Sequence, residues 1–236
     1  MILAAHQPNY LPFAGFFHKV MLCDVFVIAD HVQYERQEWQ NRNKIRTESG
    51  WMWLTVPVLN NHNGGQKINE ARVDNSVDWA VKHWRSIFFN YVKTPFFDYY
   101  KDAFRKIYEQ KWEKLADLNE SILRLILKEL NLKAKIVKSS NFHLEGHKTD
   151  LLIEMCKKLN ADTYLSGIGA KTYVEEDAFK RENITLLFQD FHHPVYCQRF
   201  SPFIPNMSLI DLLFNVGTDS AIKLLSKSGS TTNTFA

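Results

Sequence analysis

Two short apolar runs on either side of one helical pattern constrain the fold of this chain more than anything else in it. Ile2 to Ala5 is apolar and stops at His6, and Val25 to Ala29 is apolar and stops at Asp30. Between them, after Pro12, residues Phe13, Phe16, Phe17, Val20 and Met21 recur at the spacing of one helix face. Strand, helix, strand predicts a βαβ unit, hence parallel pairing through a right-handed crossover. The polar stretches His6-Gln7-Pro8-Asn9 and Asp30-His31-Val32-Gln33 then both follow the carboxyl ends of neighbouring strands. Open α/β folds place their ligand crevice there.

The rest of the chain extends this rhythm. A polar stretch, YERQEWQNRNKIRTESG, precedes a strand candidate at Trp53 to Val58; residues 60–65 read as an Asn/Gly loop, and Lys67 to Val73 as a further strand. From 76 to 130 the period turns helical, with Pro95 separating the first two of about three helices. Strands are expected at Ala134–Val137, Thr163–Ser166 and Ile184–Phe188. Helices are expected at Asp150–Leu159 and from Ser208, whose hydroxyl suits an N-cap. The predicted fold class is α/β, a mostly parallel Rossmann-like sheet with a helical insertion of about three helices. At 236 residues the chain fits a single α/β domain over 1–225, with a Ser/Thr-rich tail, 226–236, expected to be disordered.

A net charge of +3 gives no reason to expect nucleic acid as a partner. Cys23, Cys156 and Cys197 lack CxxC spacing and read as free thiols. No window reaches the roughly 20 apolar residues of a membrane span, and His6, Gln7 and Asn9 interrupt any signal-like core, so the expected location is cytoplasmic. His143 and His147 sit four apart beside Gly146 without HExxH or paired carboxylates, so no metal site is expected. No G-x-S-x-G is present, and no motif names a cofactor.

Three stretches carry the candidate chemistry. His6, Gln7, Asn9 and Tyr10, with Asp30 and Gln33 beside them, exceed what one helix cap needs and read as a functional cluster. Trp39 to Arg46 interleaves Trp39, Asn41, Arg42, Asn43 and Lys44, where a guanidinium could hold a phosphate or carboxylate and a Trp face could stack on a ring; the alternative is a solvated loop. Ser166, Gly167 and Gly169 end a strand ahead of a helix carrying Lys171. They read either as a phosphate cradle at a helix N-terminus or as a turn that uses Gly for a positive φ.

The motifs HQPNYLPFAGFFHK, VFVIADHVQY, WQNRNKI, WLTVPV, KTDLL, ADTYLSGIGAKTYVEE, FQDFHHPVY and MSLIDLLFNVG, in this order from Ile2 to about Gly217, resemble the WbqC-like protein family. The resemblance implies a role in surface-glycan assembly: a transferase or ligase of surface-polysaccharide (O-antigen) biosynthesis that acylates or aminoacylates, for example glycylates, the amine of a nucleotide-linked amino sugar. The expected partner is therefore a small-molecule substrate, a nucleotide sugar, with a homo-oligomer possible. In that reading the SGIG turn and Arg42 hold phosphates, Trp39 or Tyr10 packs on a ring, and His6 or His193 is the base, with Asp30 in the catalytic set. Gln189 and Asp190 complete the substrate-binding residues. A non-catalytic sugar-nucleotide-binding or scaffold protein of a glycan assembly complex is the alternative. The start of the chain also distantly resembles nucleotidyltransferases that carry HxGH after their first strand. Here Pro12-Phe13-Ala14-Gly15 stands in that place, so the similarity implies sheet topology rather than that ATP chemistry.

Overall fold

The computed structural model describes residues 1–59 and 65–233; residues 60–64 of the expected Asn/Gly loop and 234–236 of the expected tail lie outside them. The apolar runs form β1 (Ile2–His6) and β2 (Val25–Ile28), joined by α1 (Ala14–Met21), and β1 pairs parallel to β2 with Leu3 opposite Val25. The later strands are β5 (Lys135–Lys138), β6 (Thr163–Gly167), β7 (Thr185–Phe191) and β8 (Gly229–Asn233). Their order is β5-β2-β1-β6-β7-β8, parallel throughout except for the antiparallel edge pair β7–β8. This is the expected mostly parallel Rossmann-like sheet. Connections leave β1 toward β2 on one side, while β6 lies on the other, so the carboxyl ends of β1 and β6 flank the topological switch point.

Alternation along the strands builds two cores. Ala4, Phe26 and Leu165 face one side, where they join α1 and a large helical cluster; Leu3, Ala5, Val27 and Tyr164 face the other, against α5 (Thr149–Leu159) and α6 (Glu176–Arg181). The crossover from β2 to β5 contains the expected three helices, α2 (Trp79–Tyr91), α3 (Phe97–Glu109) and α4 (Leu115–Glu129). The last helix, α7 (Leu209–Ser226), has Ser208 at its N-cap accepting from the Ile210 amide, and a break at Gly217 (φ 75°, ψ 173°). Helix α1 packs against α7 and is buried from Ala14 through Val20, which forces its two polar residues, His18 and Lys19, inside.

Four expectations on local structure are corrected. The polar stretch before Trp53 contains a strand, β3 (Arg42–Thr47), in an antiparallel hairpin with β4 (Gly50–Thr55). Its inward polar groups are matched to backbone: Asn43 Nδ2 donates to the Tyr10 and Leu11 carbonyls at 3.2 and 2.7 Å. Residues 67–73 are not a strand; a 3-10 turn at Ile68–Glu70 lies among isolated bridges. Gly167 leads into a 3-10 turn, Ile168–Thr172, so no helix dipole stands behind the SGIG glycines. The expected disordered tail includes β8, because Gly229 to Asn233 find ladder partners along β7.

Candidate functional site

The switch point opens into two abutting cavities. One, of about 520 Å³, is walled by His6, Gln7, Lys19, Lys148, Tyr164, Ser166, Gly167, Gly169 and Tyr173, with Leu151, Leu152 and Met155 of α5 opposite. The other, of about 370 Å³, lies toward β7 and is walled by Phe13, Phe16, Phe191, Gln189 and Asn206. His6, Lys19, Gly167 and Gly169 belong to both, so they form the partition between the two spaces. Among the described residues no acidic side chain lines either cavity, whereas Lys19 and Lys148 are cationic.

Lys19 comes from the fully buried α1 and donates from Nζ to the Ala5 carbonyl at 2.9 Å. Only 5% of it is exposed, and desolvation lowers its pKa to about 8. His6 ends β1. Its Nδ1 donates to the Gln7 carbonyl at 2.9 Å, a group that can only accept, so Nε2 is the unprotonated nitrogen. Burial, and then the charge of Lys19, lower the His6 pKa to about 4. The imidazole is therefore neutral near pH 7 and presents a lone pair rather than a charge. Gln7 is fixed from behind, its Oε1 accepting from Gln40 Nε2 at 2.8 Å.

Ser166 is 1% exposed and lines the larger cavity; its backbone pairs with Phe188 in the sheet, while its hydroxyl makes no side-chain hydrogen bond among the described residues. A buried hydroxyl left this way is suited to a ligand. The two glycines that follow bear on the same point. Gly167 has φ −79°, Gly169 does not have a positive φ, and a Cβ built on either meets nothing within 4 Å. Neither conformation nor packing explains glycine at 167 and 169. What the missing side chains leave is open backbone facing the cavities.

Of the residues singled out from sequence, the crevice thus brings together His6, Gln7, Ser166, Gly167, Gly169 and Gln189. Gln189 is tied down: its Nε2 lies 2.8 Å from both the Gly15 carbonyl and His18 Nδ1. Asp30 points the other way. Its carboxylate accepts from the hydroxyls of Ser139 and Ser140 and from the Ser140 amide, and so caps the 3-10 turn Ser139–Asn141 after β5. His31 Nδ1 also lies 2.5 Å from the Ser139 hydroxyl. Ser, His and Asp side chains meet here without making a triad. The aspartate contacts the serine instead of the imidazole, and Ser139 is wholly buried.

Tyr10 is a core residue, its hydroxyl bonded to His83 Nδ1 at 2.8 Å and to Tyr108 at 2.7 Å. Asn9 is buried, and Asn41 and Asn43 brace loops by donating to the Val56 and the Tyr10 and Leu11 carbonyls, respectively. Trp39, Arg42 and Lys44 sit on the hairpin in an array of their own: Arg42 lies over Trp53 at 4.3 Å, and Lys44 lies 4.2 and 5.0 Å from the Trp51 and Trp53 rings. Gln33 bridges to Lys67, and Asp190 turns toward His192. His193 packs among Phe191, Tyr196 and Phe203, outside both cavity walls. Lys19 and Lys148 were missed from sequence. For Lys19 the signal was present, since AGFFHKVM has no polar face to carry a lysine outward.

The family model described as the WbqC-like protein family matches residues 7–223. The chain belongs to the WbqC-like protein family. It is also 36% identical over 220 residues to an uncharacterized protein of Mycobacterium tuberculosis, Rv1507c, covering 92% of this chain and 95% of that one. No solved structure matches the chain. The matched span of the WbqC-like family includes the whole crevice wall from Gln7 to Asn206 apart from the first strand.

Proposed function

We propose that this WbqC-like chain is a transferase or amide-forming ligase of surface-polysaccharide synthesis, acylating or aminoacylating the amine of a nucleotide-linked amino sugar. The observation that carries the proposal is the acid-free, two-chambered crevice divided by Lys19 and His6. Two chambers suit an enzyme that joins two substrates. Lys148, a cation with no carboxylate lining the crevice beside it, suits the phosphates of a sugar nucleotide or the carboxyl end of an acyl donor.

The attacking nitrogen must lose a proton before it can bond to the acyl carbon. As it attacks, the C–N bond forms and the leaving group departs with its bonding pair. A base is effective when its pKa lies near the working pH, so Lys19, at about 8, replaces His6, at about 4, as the proton acceptor. His6 Nε2 orients the amine by accepting one of its N–H groups. Ser166 and the amides around Gly167 and Gly169 hold the anionic group.

The test is to incubate the purified chain with amino-sugar nucleotides, glycine and ATP and to look for the mass of the glycylated sugar. Lys19→Met fills the same volume without a buried charge, so it should fold and turn over at least about a hundredfold more slowly. Full turnover by that variant removes the assigned base. Tight calorimetric binding of the nucleotide sugar with no product would favour the non-catalytic reading.

A further inference from the structure

Residues 79–97, which form α2 and the turn that follows it, contain Lys82, Arg85 and Lys93 and no acidic side chain. Trp79, His83, Ile87 and Tyr91 bury one face of α2. Val81, Arg85, Phe88 and Val92 run along the opposite face at helical spacing, flanked by Lys82, Phe89 and Phe96. Exposure reaches 68% at Phe89 and 40% at Phe96, and Phe88 and Phe89 meet edge to face at 5.7 Å. A fourth cation joins from another segment, with Arg199 Nη1 donating to the Phe89 and Asn90 carbonyls at 3.1 and 2.7 Å. The carboxylates nearest in sequence, Asp78 and Asp98, flank the segment, and Asp98 is engaged by Lys101 at 2.7 Å.

We propose that this face docks on the surface of a bilayer containing anionic lipid. Charge selects the occupant. A second copy meeting the face about a two-fold axis would set Lys82, Arg85 and Lys93 against themselves, with no carboxylate along α2 to compensate; Glu129 and Asp219 lie only at the far margin, beside Phe96. An anionic headgroup layer compensates all of them at once and needs no register. The aromatic and branched side chains between the cations are the kind that settle at headgroup depth, beneath lysine and arginine stems reaching outward. Among the described residues no helix is long and apolar enough to cross a membrane, so the contact is with the surface.

The test is co-sedimentation of the full chain with vesicles of phosphatidylcholine alone, or mixed with phosphatidylglycerol, at low and high salt. Binding is expected to the mixed vesicles at low salt and to weaken at high salt. Val81→Ser/Phe89→Ser and Lys82→Glu/Arg85→Glu should each lower partitioning by about tenfold or more, with circular dichroism and melting temperature unchanged. Failure to sediment with mixed vesicles, binding by both variants equal to that of the unaltered chain, or a dimer in sedimentation equilibrium that Val81→Ser/Phe89→Ser dissolves would each overturn the proposal.

Discussion

Glycine at 167 and 169 separates a binding role from a folding role more cleanly than any other pair in the chain. Since a Cβ at either position meets nothing and the backbone is not in the left-handed region, Gly167→Ala and Gly169→Ala should change stability by less than about 1 kcal/mol. Affinity for a nucleotide sugar should nevertheless fall about tenfold or more. Calorimetry beside a melting curve checks both halves, and a variant that loses stability but keeps affinity would return the glycines to an architectural role. Sequence reasoning could place these residues at a strand end because Ser166-Gly167 interrupts an apolar run. It could not decide between positive φ and open space, which depends on atoms from elsewhere in the fold. Lys19 shows the converse: its burial follows from its own helix, but its proximity to His6 follows from how β1 and α1 pack.

At the level of elements, βαβ logic was legible because Ile2–Ala5 and Val25–Ile28 are unbroken apolar runs and Phe16, Phe17 and Val20 of α1 recur at helical spacing between them. The hairpin was not. Its inward residues include Asn43, Ile45 and Arg46, and Arg46 is 1% exposed, its guanidinium held by the carbonyls of Thr47, Gly50 and Pro202. Where backbone carbonyls rather than apolar side chains line a pocket, the alternation that marks a strand is written in polar letters. Helix α7 carries a sharper element-scale prediction. Gly217 holds φ 75°, and a Cβ there would lie 2.6 Å from the Phe96 ring. Gly217→Ala should cost about 2 kcal/mol from left-handed backbone and ring displacement together. Urea unfolding should show a lower midpoint at an unchanged slope.

For the whole molecule, buried histidines set the acid limit. His6 and His83 are both held down to about 4 by desolvation, against 6.5 when unfolded, and His18, His31 and His193 are lowered as well. The unfolded chain takes up protons first as pH falls, so their stabilisation is complete above about 6.5 and is lost progressively toward 4. Asp211, raised by burial, works in the opposite sense and shallows the decline. Melting temperature should therefore fall steadily from pH 7 to 4.5; a flat profile would contradict the burial of these rings. The antiparallel strand β8 has a consequence of another kind. It occupies the outer rim of β7 from Leu187 to Phe191 with residues that are mostly Gly, Ser and Thr. A chain shortened before Gly229 would bare that rim as a template for neighbouring molecules. Its first symptom should be fibre growth on storage, in protein whose interior remains intact.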